Sequence, residues 1–163
     1  MKDQFVKALL IGLVAVAVAV GAILFMQRGA HMDLTGPMTV RTHATDENTA
    51  LAIIDLHITN PADYGFQVAD VTATLETKAG ESTSRTVSKV DAKRLFDAMP
   101  ELGPYHPTLF TKYVIPPHST GDYTLLAQYS LPEKMLTERE RFVVRIQEAN
   151  GKVAEFGEKA GKK

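Results

Sequence analysis

Cysteine does not occur among the 163 residues of the chain. Its absence excludes disulfides, thiolate metal sites and a cysteine nucleophile, but it leaves the compartment open, because a domain of this size folds without staples. No excess of basic charge exists either: 18 Lys and Arg stand against 19 Asp and Glu, for a formal net charge of −1. No run of Lys or Arg is long enough to track a phosphate backbone, so nucleic acid is not an expected partner. Lys159, Lys162 and Lys163 read as a solvated end. A nucleophile elbow, a P-loop, a dinucleotide fingerprint and a zinc-protease motif are all missing. No enzyme activity is therefore expected, and no residue is assigned to catalysis, a cofactor or a metal.

Charge is also missing from one long stretch. Residues 8–26, ALLIGLVAVAVAVGAILFM, carry no ionisable side chain, and 11 of them are Leu, Ile, Val or Phe. At ~1.5 Å rise per residue a helix of this length spans about 28 Å, close to the ~30 Å hydrocarbon core of a bilayer. Its large apolar side chains favour insertion by roughly 5 kcal/mol. A lone strand in lipid would leave its backbone groups unpaired, so the segment is expected to be a transmembrane helix despite its valines. The rival reading is a cleaved signal peptide. The apolar run exceeds the ~7–15 residues of a signal core, and Gln27-Arg28-Gly29-Ala30 offers no clear cleavage site. Lys2 and Lys7 precede the helix and Arg28 follows it, a narrow bias toward a cytoplasmic N-terminus. The expected location is the inner membrane, single-pass, with the C-terminal domain periplasmic. Small residues recur at Ala8/Gly12, Ala15/Ala19 and Ala17/Gly21, a spacing that permits close approach of a second helix and a helix-mediated oligomer.

This reading divides the chain into a cytoplasmic tail (1–7), the transmembrane helix (8–26), a linker (27–37), a β-domain (38–157) and a flexible tail (158–163). In the β-domain, residues 38–43 form a short candidate strand. Ile54, Leu56 and Ile58 alternate with Asp55, His57 and Thr59 until Asn60-Pro61 ends the pattern. Residues 66–77 form the next strand, and its apolar phase switches between Val68 and Val71, which places a bulge near Ala69-Asp70. Residues 83–89 read as its partner. A short helix is expected over 91–99, capped by Asp91 and stopped by Pro100. After an irregular stretch (101–110) and a short strand at 113–115, Tyr123, Leu125, Ala127, Tyr129 and Leu131 alternate. Pro132 opens a second short helix, and the charge alternation over 138–141 is its solvated end. Phe142, Val144 and Ile146 alternate again. The final hairpin is registered by matching faces: a loop of Ala149, Asn150 and a left-handed Gly151 pairs Ile146 with Ala154 and Val144 with Phe156, apolar against apolar. About seven strands without regular strand–helix alternation indicate a mostly β fold, a β-sandwich with one or two short helices.

The stretch AIIDLHITNPADYGFQVADV, residues 52–71, resembles the late-embryogenesis-abundant type 2 family, the water-stress and hypersensitive-response domain. The resemblance extends over about residues 45–157 and includes the later turn Ile115-Pro116-Pro117 before the strand at Tyr123. It implies an immunoglobulin-like or fibronectin-III-like sandwich and a role in stress tolerance or membrane-associated interaction, and it supplies no catalytic residues.

Candidate binding residues are sparse. His43 and His57 on adjacent strands, with Asp55, raise the question of a metal, but solvated histidines on polar strand faces are the simpler expectation. Asp46, Glu47 and Asp63 lie near strand ends without a dense calcium-ligand pattern. The segment Tyr105, His106, Leu109 and Phe110 is the candidate interaction loop, because aromatics on irregular backbone are typical contact residues. The expected function is a membrane-anchored, extracytoplasmic, non-catalytic module for protein interaction or stress protection. The alternative is a small accessory subunit of a larger membrane complex. Expected partners are the lipid bilayer and other membrane or envelope proteins.

Overall fold

The computed structural model describes residues 33–159, together with five helical positions of the apolar segment: Gly12, Val16, Val18, Val20 and Gly21. The chain divides into two units, Met1–Met32 and Asp33–Lys163. The expected transmembrane helix lies, apart from those five positions, outside the described residues. No helix among the described residues is long and apolar enough to cross a membrane.

The second unit is mostly β, with eight strands against the seven or so expected. In order they are β1 (Met38–Asp46), β2 (Thr49–Asn60), β3 (Phe66–Thr77), β4 (Gly80–Arg85), helix α1 (Lys89–Ala98), a 3-10 turn (Pro100–Leu102), β5 (Val114–Ile115), β6 (Ser119–Tyr129), helix α2 (Glu133–Thr137), β7 (Arg141–Glu148) and β8 (Val153–Lys159). Two antiparallel sheets form, ordered β1-β2-β6 and β4-β3-β7-β8, with β5 added to the start of β3. The bulge in β3 falls between Val68 and Asp70 as expected. The β7–β8 register pairs Ile146 with Ala154 and Val144 with Phe156, and Gly151 closes the hairpin at φ 92°.

Several bounds differ from the sequence reading for local reasons. Helix α1 starts earlier, because Ser88 and not Asp91 is its N-cap: the Ser88 hydroxyl accepts the Asp91 N–H at 3.2 Å and donates to the Asp91 carboxylate at 2.7 Å. This reciprocal cap satisfies an orphan amide of the first turn. Strand β4 stops at Arg85, and the chain then crosses to the other sheet, where Thr86 bridges Ala127 and Val87 N–H donates to Leu126 C=O at 2.7 Å. Residues 33–37 join the fold: Leu34 is buried and Thr35 pairs with Thr59.

The main core lies between the sheets, where Ile54, Leu56, Ile58 and Leu125 meet Leu75, Phe142, Val144 and Ile146. Tyr129 ties the layers together, its phenol donating to Ala73 C=O at 2.7 Å. Burial pushes that phenol well above the ordinary range, so it stays a neutral donor. A second apolar cluster covers the outer face of the smaller sheet, where Ile53 and Leu126 pack against Ala92, Phe96 and Leu102. Strand β2 is thus buried on both faces over 50–54, and α1 is a third layer.

Candidate functional site

The irregular segment after Leu102 reaches across the outer face of the β1-β2-β6 sheet. Its hold on that face is polar. Arg41 on β1 forks onto the Asp55 carboxylate, Nε to Oδ2 at 2.9 Å and Nη2 to Oδ1 at 3.2 Å. The same guanidinium donates to Leu102 C=O and, at 3.2 Å, to Pro104 C=O. Thr124 on β6 donates to Asp55 at 2.9 Å and accepts the His106 N–H at 3.1 Å. A planar guanidinium suits this role, since one rigid fork serves a carboxylate and two carbonyls.

The four residues of the predicted interaction loop have four different surroundings. Tyr105 packs on Phe96 of α1 with ring centroids 4.7 Å apart, and its hydroxyl is 3.0 Å from that of Thr108. Leu109 is fully committed to the main core. His106 lines one open cleft, and Phe110 lines another together with Leu109.

The cleft at His106 is small, about 140 Å³, and is also lined by Asp55, His57, Asp122 and Tyr123. His57 does not face His43. In the β1–β2 register His43 stands opposite Leu51, whereas His57 stands opposite Asp122 on β6. The His57 ring donates from Nδ1 to Asp122 Oδ1 at 2.6 Å. A second such pair sits at the same end of β2, His118 Nε2 to Asp63 Oδ1 at 2.9 Å. Among the described residues no group of three or more His, Cys, Asp or Glu is placed to hold a metal ion.

The hydrogen bond from His57 is the main cause that holds the Asp122 carboxyl below the ordinary carboxylate range, against an opposing effect of burial that outranks the help from the charges of His57 and His106. A folded-state value below the unfolded one supports the fold above the unfolded carboxylate pKa, near ~3.9. That support disappears as pH falls through the lowered value, so the window is acid. In the His57→Ala variant the Asp122 titration midpoint, followed by NMR at the carboxyl carbon, is expected to rise toward 3.8. An unchanged midpoint would assign the depression to some other group.

The cleft at Phe110 is larger, about 380 Å³. It opens beside Ala69 and Asp70, the short stretch of the β3 edge between Val68, which bonds to Lys112 and Tyr113, and Val71, whose C=O accepts the Thr86 N–H at 3.4 Å. Asp70 and Val71 of β3, Arg85 at the end of β4, Lys89 at the start of α1 and Phe110 line it. Phe110 is 39% exposed beside a fully buried Leu109. The Lys89 ammonium stands 4.8 Å from the Phe110 ring centroid, a cation–π placement. Sequence reasoning singled out Phe110 but missed Arg85 and Lys89. The sequence reading placed both in a strand over 83–89, and nothing local ties that strand to the 105–110 loop.

No protein-family model matches the chain, and no curated protein matches it. Among solved structures, the chain is similar to the crystal structure of an ApaA protein from Bordetella pertussis. That likeness has a TM-score of 0.40 and 15% identity, and it covers 80% of this chain and 96% of the other. A score that low assigns neither a fold family nor a function.

Proposed function

We propose that the chain is a membrane-anchored, extracytoplasmic β-sandwich module for protein interaction or stress protection, and that it performs no catalysis. One observation carries the reading. An uncharged run of 19 residues, 8–26, precedes a unit, Asp33–Lys163, most of whose described large apolar side chains are taken up in two cores of its own. The first segment has its natural partner in hydrocarbon and the second in water. The strand order supports the finer assignment to an immunoglobulin or fibronectin-III-like sandwich, with β1-β2-β6 facing β4-β3-β7-β8 and α1 inserted before β6. The resemblance of residues 52–71 to the late-embryogenesis-abundant type 2 domain points the same way.

In this reading the single helix lies in the inner membrane with the sandwich on the periplasmic side, and the partners are the bilayer and envelope proteins. The small-residue spacing in the helix motivates the alternative, an accessory subunit of a larger membrane complex. The test is purification of the full-length chain from membranes in mild detergent, with protease accessibility of the sandwich from the outer side. The expected result is retention in the membrane fraction after alkaline washing, cleavage of the sandwich from outside, and co-purification of specific envelope proteins. Recovery of the intact chain in the aqueous fraction without detergent would sink the reading.

A further inference from the structure

The Phe110 cleft combines features that the core and the polar loop contacts do not need. It is an open cleft beside the β3 edge rather than a closed cavity, and it has an exposed aromatic at one lip. Arg85 and Lys89 line it together with Asp70. Among the described residues no ion pair engages any of these three charges. Structural surface arginines usually have a carboxylate nearby, and the β7–β8 face illustrates it: Arg141 and Arg145 share Glu155.

We propose that this cleft takes a carboxylate-bearing peptide segment of a partner protein, with Arg85 and Lys89 receiving the carboxylate and Phe110 packing against an adjacent apolar side chain. The inference rests on the interaction-module reading and names the chemistry of the partner. Three properties select the ligand. A guanidinium fork matches a carboxylate in plane and makes charge-assisted bonds. Asp70 in the lining reduces the charge of the three groups to a single net positive, which suits a monoanion and disfavours a phosphate dianion. The open cleft, about 380 Å³, admits a short chain segment and falls within the ordinary range for ligand sites.

The experiment uses the full chain in detergent micelles and calorimetric titration with two acetylated, amidated peptides, Ala-Glu-Leu-Ala-Ala and Ala-Gln-Leu-Ala-Ala, and separately with inorganic phosphate. The acidic peptide is expected to bind saturably, and the Gln peptide about tenfold more weakly, as the loss of one charge-assisted pair implies. Arg85→Glu with Lys89→Glu is expected to abolish binding, and Arg85→Gln with Lys89→Gln to weaken it about tenfold. Both positions are exposed, so the melting temperatures of the variants are expected to stay at the parent value. Absence of saturable binding, equal affinity for the Gln peptide, indifference to the double charge reversal, or preference for phosphate would each overturn the proposal. Co-purification with the same variants separates the two failures. Envelope proteins retained by the charge-reversed chain overturn the cleft and leave the module standing, whereas no specific protein retained by the parent chain overturns the module itself.

Discussion

Asn60→Ala is expected to destabilise the sandwich by about 3 kcal/mol, the size of effect seen when a buried hydrogen-bonding hub is removed. Asn60 ends β2 and is 1% exposed. Its amide nitrogen reaches the carbonyls of Tyr64 at 3.0 Å, Ile115 at 3.1 Å and Pro116 at 3.0 Å, while its oxygen accepts the Ala62 N–H at 3.1 Å. One short side chain thus holds the β2–β3 turn and the β5–β6 connection together. Alanine leaves these backbone groups unpaired in an apolar setting, and each such group is worth about 1–3 kcal/mol. Asn60→Asp distinguishes hydrogen bonding from shape. A carboxylate keeps the bond from Ala62 but turns its second oxygen toward carbonyl oxygens. Its folded-state pKa must then lie above the unfolded value, so the penalty is full at neutral pH and shrinks as pH falls toward the unfolded carboxylate range near ~4. Urea unfolding of the full chain in detergent, at pH 7 and at pH 4.5, is the measurement. Relative to the parent, the Asp variant should recover part of its loss at the lower pH and the Ala variant should not. A loss under about 0.5 kcal/mol for Asn60→Ala, the usual scale for an inconsequential surface change, would show that the hub does not hold the end of the sandwich.

Asn60 also shows where sequence reasoning stops. Asn-Pro after an alternating strand announces an end, and β2 does end there. The partners at Ile115 and Pro116, however, lie 55 and 56 residues away, so nothing local marks the side chain as buried. Strand β3, its bulge and the β7–β8 register were legible because alternation with period two allows only one pairing that puts apolar side chains on one face. The outer layer was not. In Leu51-Ala52-Ile53-Ile54 the alternation is lost because both faces are covered, and nothing in the expected helix over 91–99 says that it covers the outer one. The surroundings of the candidate loop residues were illegible for a similar reason. Irregular backbone has no period that would separate a buried Leu109 from an exposed Phe110. Pairing His57 with Asp122 requires knowing that β2 lies beside β6, and strand order is a tertiary fact.

Removing Glu158 alone is expected to destabilise the protein more than removing Glu158 and Arg139 together. On the side where β4 meets β6 the sandwich is sealed by the chain itself, crossing from one sheet to the other at Thr86 and Val87. On the opposite side, between β1 and β8, an ion pair does the sealing. Arg139, just after α2, donates to Glu158 Oε2 at 2.6 Å, to Leu136 C=O at 2.9 Å and to Val40 C=O at 3.3 Å, while Val40 N–H donates to Glu158 Oε1 at 3.3 Å. The exposed backbone of an edge residue is thereby satisfied from the other sheet, which also blocks that edge against pairing with another chain. The two side chains retain only 11% and 23% of their exposure, so screening by salt is weak. Glu158→Leu strands a guanidinium that is largely out of water, and about 2–3 kcal/mol is the expected loss, below the 3–5 kcal/mol of fully buried pairs because some solvent still reaches it. The double variant Arg139→Leu, Glu158→Leu carries no stranded charge and gains apolar contact, so its loss should be smaller, leaving a coupling of about 1–2 kcal/mol in the cycle. Urea unfolding of the parent, both single variants and the double variant measures that coupling directly. Additive losses would mean that Arg139 and Glu158 act on β1 independently and that the edge is closed by packing rather than by charge.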